Sequence, residues 1–382
     1  MNTNLRLLAS FLLWWPTAHP ADAPVAPEPS PTQQPVPTRW ATPVRSPEIA
    51  PDGRVTFRLR APKAGEVLLS GQWAARRTAL TKDAAGIWSA TVGPIAAGIY
   101  EYSFLVDGLA MIDPANPAVK PMREPRSSIL HLPGQPPLVW DFQQVPHGVV
   151  HLHSYWSKVL GRRRELVVYT PPSYETEPGV RFPVLYLQHG HGDTSATWTT
   201  HGKAHWILDN LIAEGRARPM LLVMADGHAT SLAEEPASAD RNSRRFEEDL
   251  LEAVVPFVEA HYRVRTEAAG RALAGLSMGG EEALRIGLNH LDRFAWVAGF
   301  SAAVPAPEGV AVPLADAAGT NARLKLLWLG CGKDDFLLRR NEEFVALLER
   351  SHIRHEWHLS AGTHSWPVWR NDLAELAPRL FQ

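Results

Sequence analysis

A serine bracketed by glycines, Gly275-Leu276-Ser277-Met278-Gly279, stands between the apolar run "RALA" and the helical pattern "GGEEALRIG". A serine so placed is suited to attack a carbonyl. On a tight strand-to-helix turn its Oγ is lifted above the sheet, and crowding two residues to either side leaves room only for glycine. The helix that follows points its N-terminus at the site and favours negative charge there. A hydroxyl needs a base to take its proton and a third group to orient that base. His364, in the loop "AGTHSWPVW", is the candidate base. The stretch "CGKDDF" offers two acids, Asp334 and Asp335, one to orient the base and the other to cap the next helix. His352, His355 and His358 precede or lie within a strand pattern and read as structural or exposed. The chemistry expected is acyl transfer, with an oxyanion held by two backbone N–H groups. One is the N–H of Met278, the residue after the nucleophile. The other should come from the loop after the third strand, where "HGHGD" follows "VLYLQ". There the N–H of His191 is the candidate, with Gly190 and Gly192 allowing close approach.

The same loop carries a competing reading. His189, His191 and Asp193 spell H-x-H-x-D, the opening of a motif that holds two zinc ions in one hydrolase superfamily. That motif continues with a histidine where this chain has Thr194, and a serine elbow has no purpose in such a site. His201 and His205, at helical i,i+4 spacing, read as a helix-start residue and an inward-facing one. The expectation is a site that needs no metal and no organic cofactor.

These residues must be positioned by strands and helices in alternation. "ELVVYTPP", "FPVLYLQ", "MLLVMAD", "RALAGLS", "FAWVAGFS", "LKLLWLG" and "IRHEWHLS" read as strands, several of them near-continuous apolar runs as a buried sheet requires. "AHWILDNLIAEG", "FEEDLLEAVVPFVEAHY", "GGEEALRIGLNH" and "NEEFVALLERS" read as helices, the second kinked at Pro256, with a last helix near 370–381. This predicts a mostly parallel, doubly wound α/β domain over 140–382. Earlier the pattern is different. "GRVTFRLRAP", "EVLLSGQW", "GIWSATVG" and "GIYEYSFLVDG" carry period-two alternation, and Asp107-Gly108 supplies a turn. A small all-β sandwich is expected over 45–133. Residues 24–44 are rich in Pro, Ala and Thr and read as an extended linker. Residues 1–23 read as a signal peptide: Arg6, a short apolar run, then Ala21-Asp22-Ala23 in small-x-small form.

At this point "FPVLYLQHGHGD", "RALAGLSMGGEEALRIGLNHLDRFAWVAGFS", "LWLGCGKDDF" and "GTHSWPVW", four separated motifs in order, resemble the family 1 carbohydrate esterases and esterase D-like enzymes. That group includes feruloyl and acetylxylan esterases, with mycolyltransferases as relatives. The resemblance implies an α/β-hydrolase fold and a carboxylic-ester hydrolase. It also selects between the two acids: the family's G-x-x-D pattern, counted from Gly332, falls on Asp335. The oxyanion donors map onto the N–H groups of Met278 and His191. The N-terminal segment "FLVDGLAMIDPANP" resembles the early-set, immunoglobulin-like domains found beside glycogen-active enzymes. By the same resemblance, substrates are acetyl or feruloyl esters on plant-wall polysaccharide. Trp198, Phe300 and Trp366 are candidates to line the acyl pocket, and Trp73 and Trp88 read either as glycan-stacking platforms or as core aromatics.

Two other functions are carried alongside. One is a siderophore esterase acting on catechol trilactones, which a basic pocket would favour; "GRRRE" at 161–165 is the basic cluster. The other is a glycan-binding protein with an inactive hydrolase domain, which an intact Ser277, Asp335 and His364 argue against. A formal charge of −2 over 382 residues creates no field that would draw in nucleic acid. The single Cys331 permits no internal disulfide. The expected setting is periplasmic or secreted, with no membrane span after signal cleavage.

Overall fold

A computed structural model describes residues 43–231 and 239–382. The expected signal peptide, 1–23, and nearly all of the expected linker, 24–44, lie outside the described residues.

Two antiparallel sheets form the N-terminal sandwich. One runs 48–49, 55–60, 87–92, 81–82; the other runs 78–79, 67–71, 98–106, 109–111, with 128–132 also paired to 98–106. Alternation explains how they face each other. Val55, Phe57 and Leu59 point inward from one sheet and Val67, Leu69, Tyr102 and Phe104 from the other, while Thr56 and Arg58 stay partly exposed. Trp88 is buried in this core, its Nε1–H donating to Ala61 O at 2.9 Å, and Trp73 stacks on Phe57 at 5.3 Å. The hairpin after Val106 turns on Asp107 and Gly108 with φ of 48° and 87°, the positive pair a two-residue turn needs to match strand twist.

The second sheet has eight strands, here β1 (Val149–Ser157), β2 (Arg162–Thr170), β3 (Val184–Gln188), β4 (Leu221–Ala225), β5 (Arg271–Leu276), β6 (Trp296–Phe300), β7 (Leu326–Gly332) and β8 (Glu356–Ser360). Their order is β1-β2-β4-β3-β5-β6-β7-β8. β1 and β2 run antiparallel and the rest from β4 through β8 are parallel. β3 to β6 are buried along their whole length, because helices cover both faces. Alternate residues supply the two cores. Leu185 and Leu187 join Trp198, Ile207 and Leu373 on one face, and Val184 and Tyr186 join Val223, Phe246 and Ile286 on the other.

Three elements differ from the sequence expectation. β1, "VVHLHSYWS", is not among the strands expected from the sequence; it is an edge strand with an irregular burial pattern, so its alternation carries little hydrophobic contrast. The segment expected as one helix kinked at Pro256 is Ala239–Asp249, a wide π-helical turn Leu250–Val254, and Val255–His261 with the proline in its first turn. Proline has no N–H to donate to the carbonyl four residues back, and the wider turn before it absorbs that loss. The last helix begins at Trp366, not near 370, which puts its first turn directly behind His364. Val44–Gln382 form one compact unit.

Candidate active site

The parallel pairing of β3 with β5 brings two turns together. Gln188 is in register with Gly275, so the chain leaves both strands at the same level and side by side. In open α/β sheets the carboxyl ends of strands, near the point where strand order reverses, are where crevices form. The β5 turn carries Ser277 at φ 53°, a left-handed conformation that costs a non-glycine residue of order 1–3 kcal/mol. The glycines around it are sterically required. A Cβ on Gly275 would overlap the Gly279 carbonyl, and one on Gly279 would overlap the His189 carbonyl. The β3 turn is just as close: a Cβ on Gly190 would stand 2.5 Å from Leu276 Cδ1 and 3.3 Å from Ser277 Cβ.

β7 and β8 deliver the other two groups. His364 Nε2 lies 3.0 Å from Ser277 Oγ, and its Nδ1 lies 2.9 and 3.1 Å from the two oxygens of Asp335. The Asp335 carboxylate also accepts the Leu337 N–H at 2.8 Å, so one aspartate both meets the imidazole and caps the next turn. Asp334 is exposed. Burial would push the Asp335 carboxyl up, but hydrogen bonds from His364 and the Leu337 N–H outweigh it and hold it below the usual carboxylate range. An ionised carboxylate only accepts, so Nδ1 carries the ring proton and Nε2 is left to accept from the serine hydroxyl.

Two histidine rings, one of the loop itself and one of the loop after β4, hold the glycine-rich loop 189–193. His189 is buried; its Nδ1–H donates to Gly190 O at 2.9 Å and its Nε2 accepts the Gly227 N–H at 3.0 Å. His228 Nε2 accepts the Gly192 N–H at 3.2 Å, and Gly192 has φ 81°. Asp193 is paired with Lys120 at 3.1 Å. His189, His191 and Asp193 therefore do not converge on a common point, and among the described residues no group of three His, Cys, Asp or Glu is gathered as a metal site would require. His201 is fully buried and burial pushes its imidazole down to about 3; His205 is pushed down to about 4 by the same cause.

The expected pocket aromatics are placed differently from the reading that nominated them. Trp198 and Phe300 are 0% exposed and Trp366 is 2% exposed. They form a buried stack, with ring centroids 4.9 Å apart for Trp198–Trp366 and 6.1 Å for Trp198–Phe300, and Trp198 Nε1–H donates to Gln188 O at 3.0 Å. Side chains sealed this way support the floor under β3 and cannot touch a substrate. The exposed aromatic beside the site is Phe336, 76% exposed and 4.5 Å from the His364 ring. Its position immediately after Asp335 was the one available signal for it. A cavity of about 430 Å³ adjoins loop 189–193, lined by Arg123, Arg162, Arg163, Thr194, His228 and Thr230 among others. Arg162 donates to the carbonyls of His228 and Ala229 at 3.0 Å, and Arg164 to those of His228 and Asp226, so the "GRRRE" run largely ties down the loop after β4.

Residues 157–380 match the model of the Esterase family, described as "Putative esterase". An endo-1,4-beta-xylanase/feruloyl esterase of Xylanibacter ruminicola is 31% identical over 343 residues, 88% of this chain and 46% of that protein. An esterase of Mycobacterium tuberculosis is 32% identical over 143 residues, 37% of this chain and 30% of that protein. The chain thus spans less than half the length of these curated relatives. Among solved structures, a ferulic acid esterase shares 27% identity, covering 62% of this chain and 99% of its own, with a TM-score of 0.53. An enterobactin esterase of Shigella flexneri shares the fold at 22% identity, covering 86% of this chain and 93% of its own, with a TM-score of 0.63.

Proposed function

The chain belongs to the Esterase family and is a carboxylic-ester hydrolase; from that premise we propose an exported serine enzyme that releases feruloyl or acetyl groups from plant cell-wall polysaccharide. The observation that carries the serine mechanism is the unbroken chain of hydrogen bonds from Asp335 through His364 to Ser277 Oγ on a left-handed elbow. In the proposed cycle Ser277 Oγ attacks the ester carbonyl carbon while His364 Nε2 takes the hydroxyl proton. The carbonyl oxygen becomes an oxyanion held by the N–H groups of Met278 and His191. Collapse breaks the carbon–oxygen bond to the alcohol, which leaves with the proton from Nε2. Water then attacks the acyl-enzyme, giving its proton to His364, and the acid leaves as Ser277 is restored. Asp335 keeps the ring tautomer and stabilises the imidazolium.

The substrate class is supported by the xylanase/feruloyl esterase relative, whose match extends across the sandwich as well as the hydrolase domain. Export rests on the N-terminal pattern of residues 1–23; among the described residues no helix is long and apolar enough to cross a membrane. A catechol-trilactone esterase is the second reading, favoured by the arginine-lined cavity beside loop 189–193. Side-by-side rates on methyl ferulate, acetylated xylan and a catechol trilactone decide between them. A kcat/KM on the trilactone above both others would replace the cell-wall reading.

A further inference from the structure

The sandwich reaches the catalytic loops through a sealed set of charges. Glu101 lies on strand 98–106 between Tyr100 and Tyr102, which pack in the sandwich core with Phe104, and period two turns it, like Ile99, to the opposite side. Lys120 comes from the link between strands 109–111 and 128–132 and is buried. Its Nζ lies 3.2 Å from Glu101 and 3.1 Å from Asp193, the last residue of "HGHGD". The same link is tied to that loop by its main chain. Arg123 N–H donates to Gly192 O at 2.9 Å, Met122 bridges Asp193, and Pro121 O accepts from Thr197 Oγ at 2.7 Å.

The set continues behind the histidine loop. Glu101 lies 3.4 Å from His201 Nε2, and the buried Arg370 donates to the His201 carbonyl at 3.0 and 3.2 Å. Lys120 and Arg370 stand 5.9 and 6.0 Å from the Trp366 ring, two residues beyond His364. Burial would push the Glu101 carboxyl up, yet His201 and Lys120 hold it down at about 2.

Buried ion pairs are a poor way merely to fasten two units together, because desolvation cancels most of their attraction and an apolar contact would serve as well. What they supply is geometry. Loop 189–193 contains two glycines, so its backbone has few side-chain constraints of its own. On the hydrolase side His189 and His228 anchor it; on the other side its anchors are Arg123 N–H and Lys120.

We propose that the N-terminal sandwich is a positioning element of the active site, with Lys120, paired to Glu101 and Asp193, holding the oxyanion-donor loop in place against Ser277. The inference rests on the serine reading given above. A misplacement of about 1 Å in such a loop can cost about 10²-fold in rate. The test is Lys120→Met in the full chain, with p-nitrophenyl acetate as substrate and active sites titrated by a serine-directed phosphonate. The expected result is a kcat per titrated site lower by about 10- to 100-fold, with KM within about threefold and most of the loss recovered in Lys120→Arg. Asp193→Asn should show a similar loss, and the double variant no more than either alone. If Lys120→Met does not fold, the double variant, which removes both charges together, carries the same expectation. A kcat per titrated site within about twofold of wild type in the variant that folds, whatever happens to Tm, overturns the proposal. Ser277→Ala in the same panel separates the two readings: retained activity there overturns the serine mechanism itself.

Discussion

Two glycine-rich turns leave neighbouring parallel strands at the same level and do opposite things. The turn after β5 bends so that one side chain, Ser277, is lifted out; its glycines exist to make room. The loop after β3 bends so that backbone comes near the elbow, and the rings of His189 and of His228, from the loop after β4, hold its shape. One turn presents a side chain and the other presents main chain. The same residue type, glycine, therefore predicts opposite sensitivity to substitution at the positions between.

The sharpest way to break this contrast is at Ser277. Ser277→Ala should lower kcat by at least about 10⁴-fold with the fold intact, measured on p-nitrophenyl acetate with circular dichroism as a folding control. Full retention would mean that the lifted side chain is not the nucleophile. Next in size, Asp335→Asn should cost about 10⁴-fold in kcat by freeing the wrong tautomer of His364. Asp334→Asn, at the exposed neighbour, should leave kcat within about twofold, so equal losses in the pair would undo the assignment of the acid.

Gly190→Val tests the main-chain side of the comparison. Its Cβ would press on Leu276 and Ser277, and we expect a loss of about 10²- to 10³-fold, the scale of a lost oxyanion donor. His191→Ala, which keeps the N–H, should remain within about threefold of wild type. Inactivity in a folded His191→Ala protein would show that the loop acts through a side chain after all.

The loop's surroundings should also make stability pH-dependent. Burial pushes His201 and His228 down to about 3 and His205 to about 4, from 6.5. In the unfolded chain these rings take up protons near pH 6.5, while the folded state refuses them until much lower pH. The unfolded state then binds more protons, so stability falls as pH drops from about 6.5 toward 4. Urea midpoints across that range should decline, and His205→Gln should flatten the decline. A flat profile in wild type would contradict the burial of these rings.

Much of the site was legible in the chain. The serine elbow, the proposed base after β8 and the proposed donor loop after β3 each combine a local residue pattern with a place in the strand–helix alternation, and both are short-range properties. The acid was legible only to a pair, Asp334 and Asp335, until family resemblance separated them; in the structure the difference is that one carboxylate is turned under His364 and the other into water. The aromatic candidates were misplaced for a related reason. Residue type says that Trp198, Phe300 and Trp366 have large apolar area, and burial of that area is worth a few kcal/mol each, but type does not say whether the face they occupy is a floor or a wall.

Periodicity along the chain thus determined which residues of each element turn from water, and spacing determined which loops could carry a nucleophile, a base and an oxyanion donor. What stands on the other side of a face was decided only by tertiary structure. Glu101 alternates out of the sandwich core, and Lys120 sits in a proline-rich link. Their burial against Asp193 and His201 depends on contacts between segments some 70 to 100 residues apart in sequence, as 193 to 120 and 201 to 101 show. No local pattern encodes such a pairing, because the partner's charge and position enter the energy only once both surfaces have lost their water.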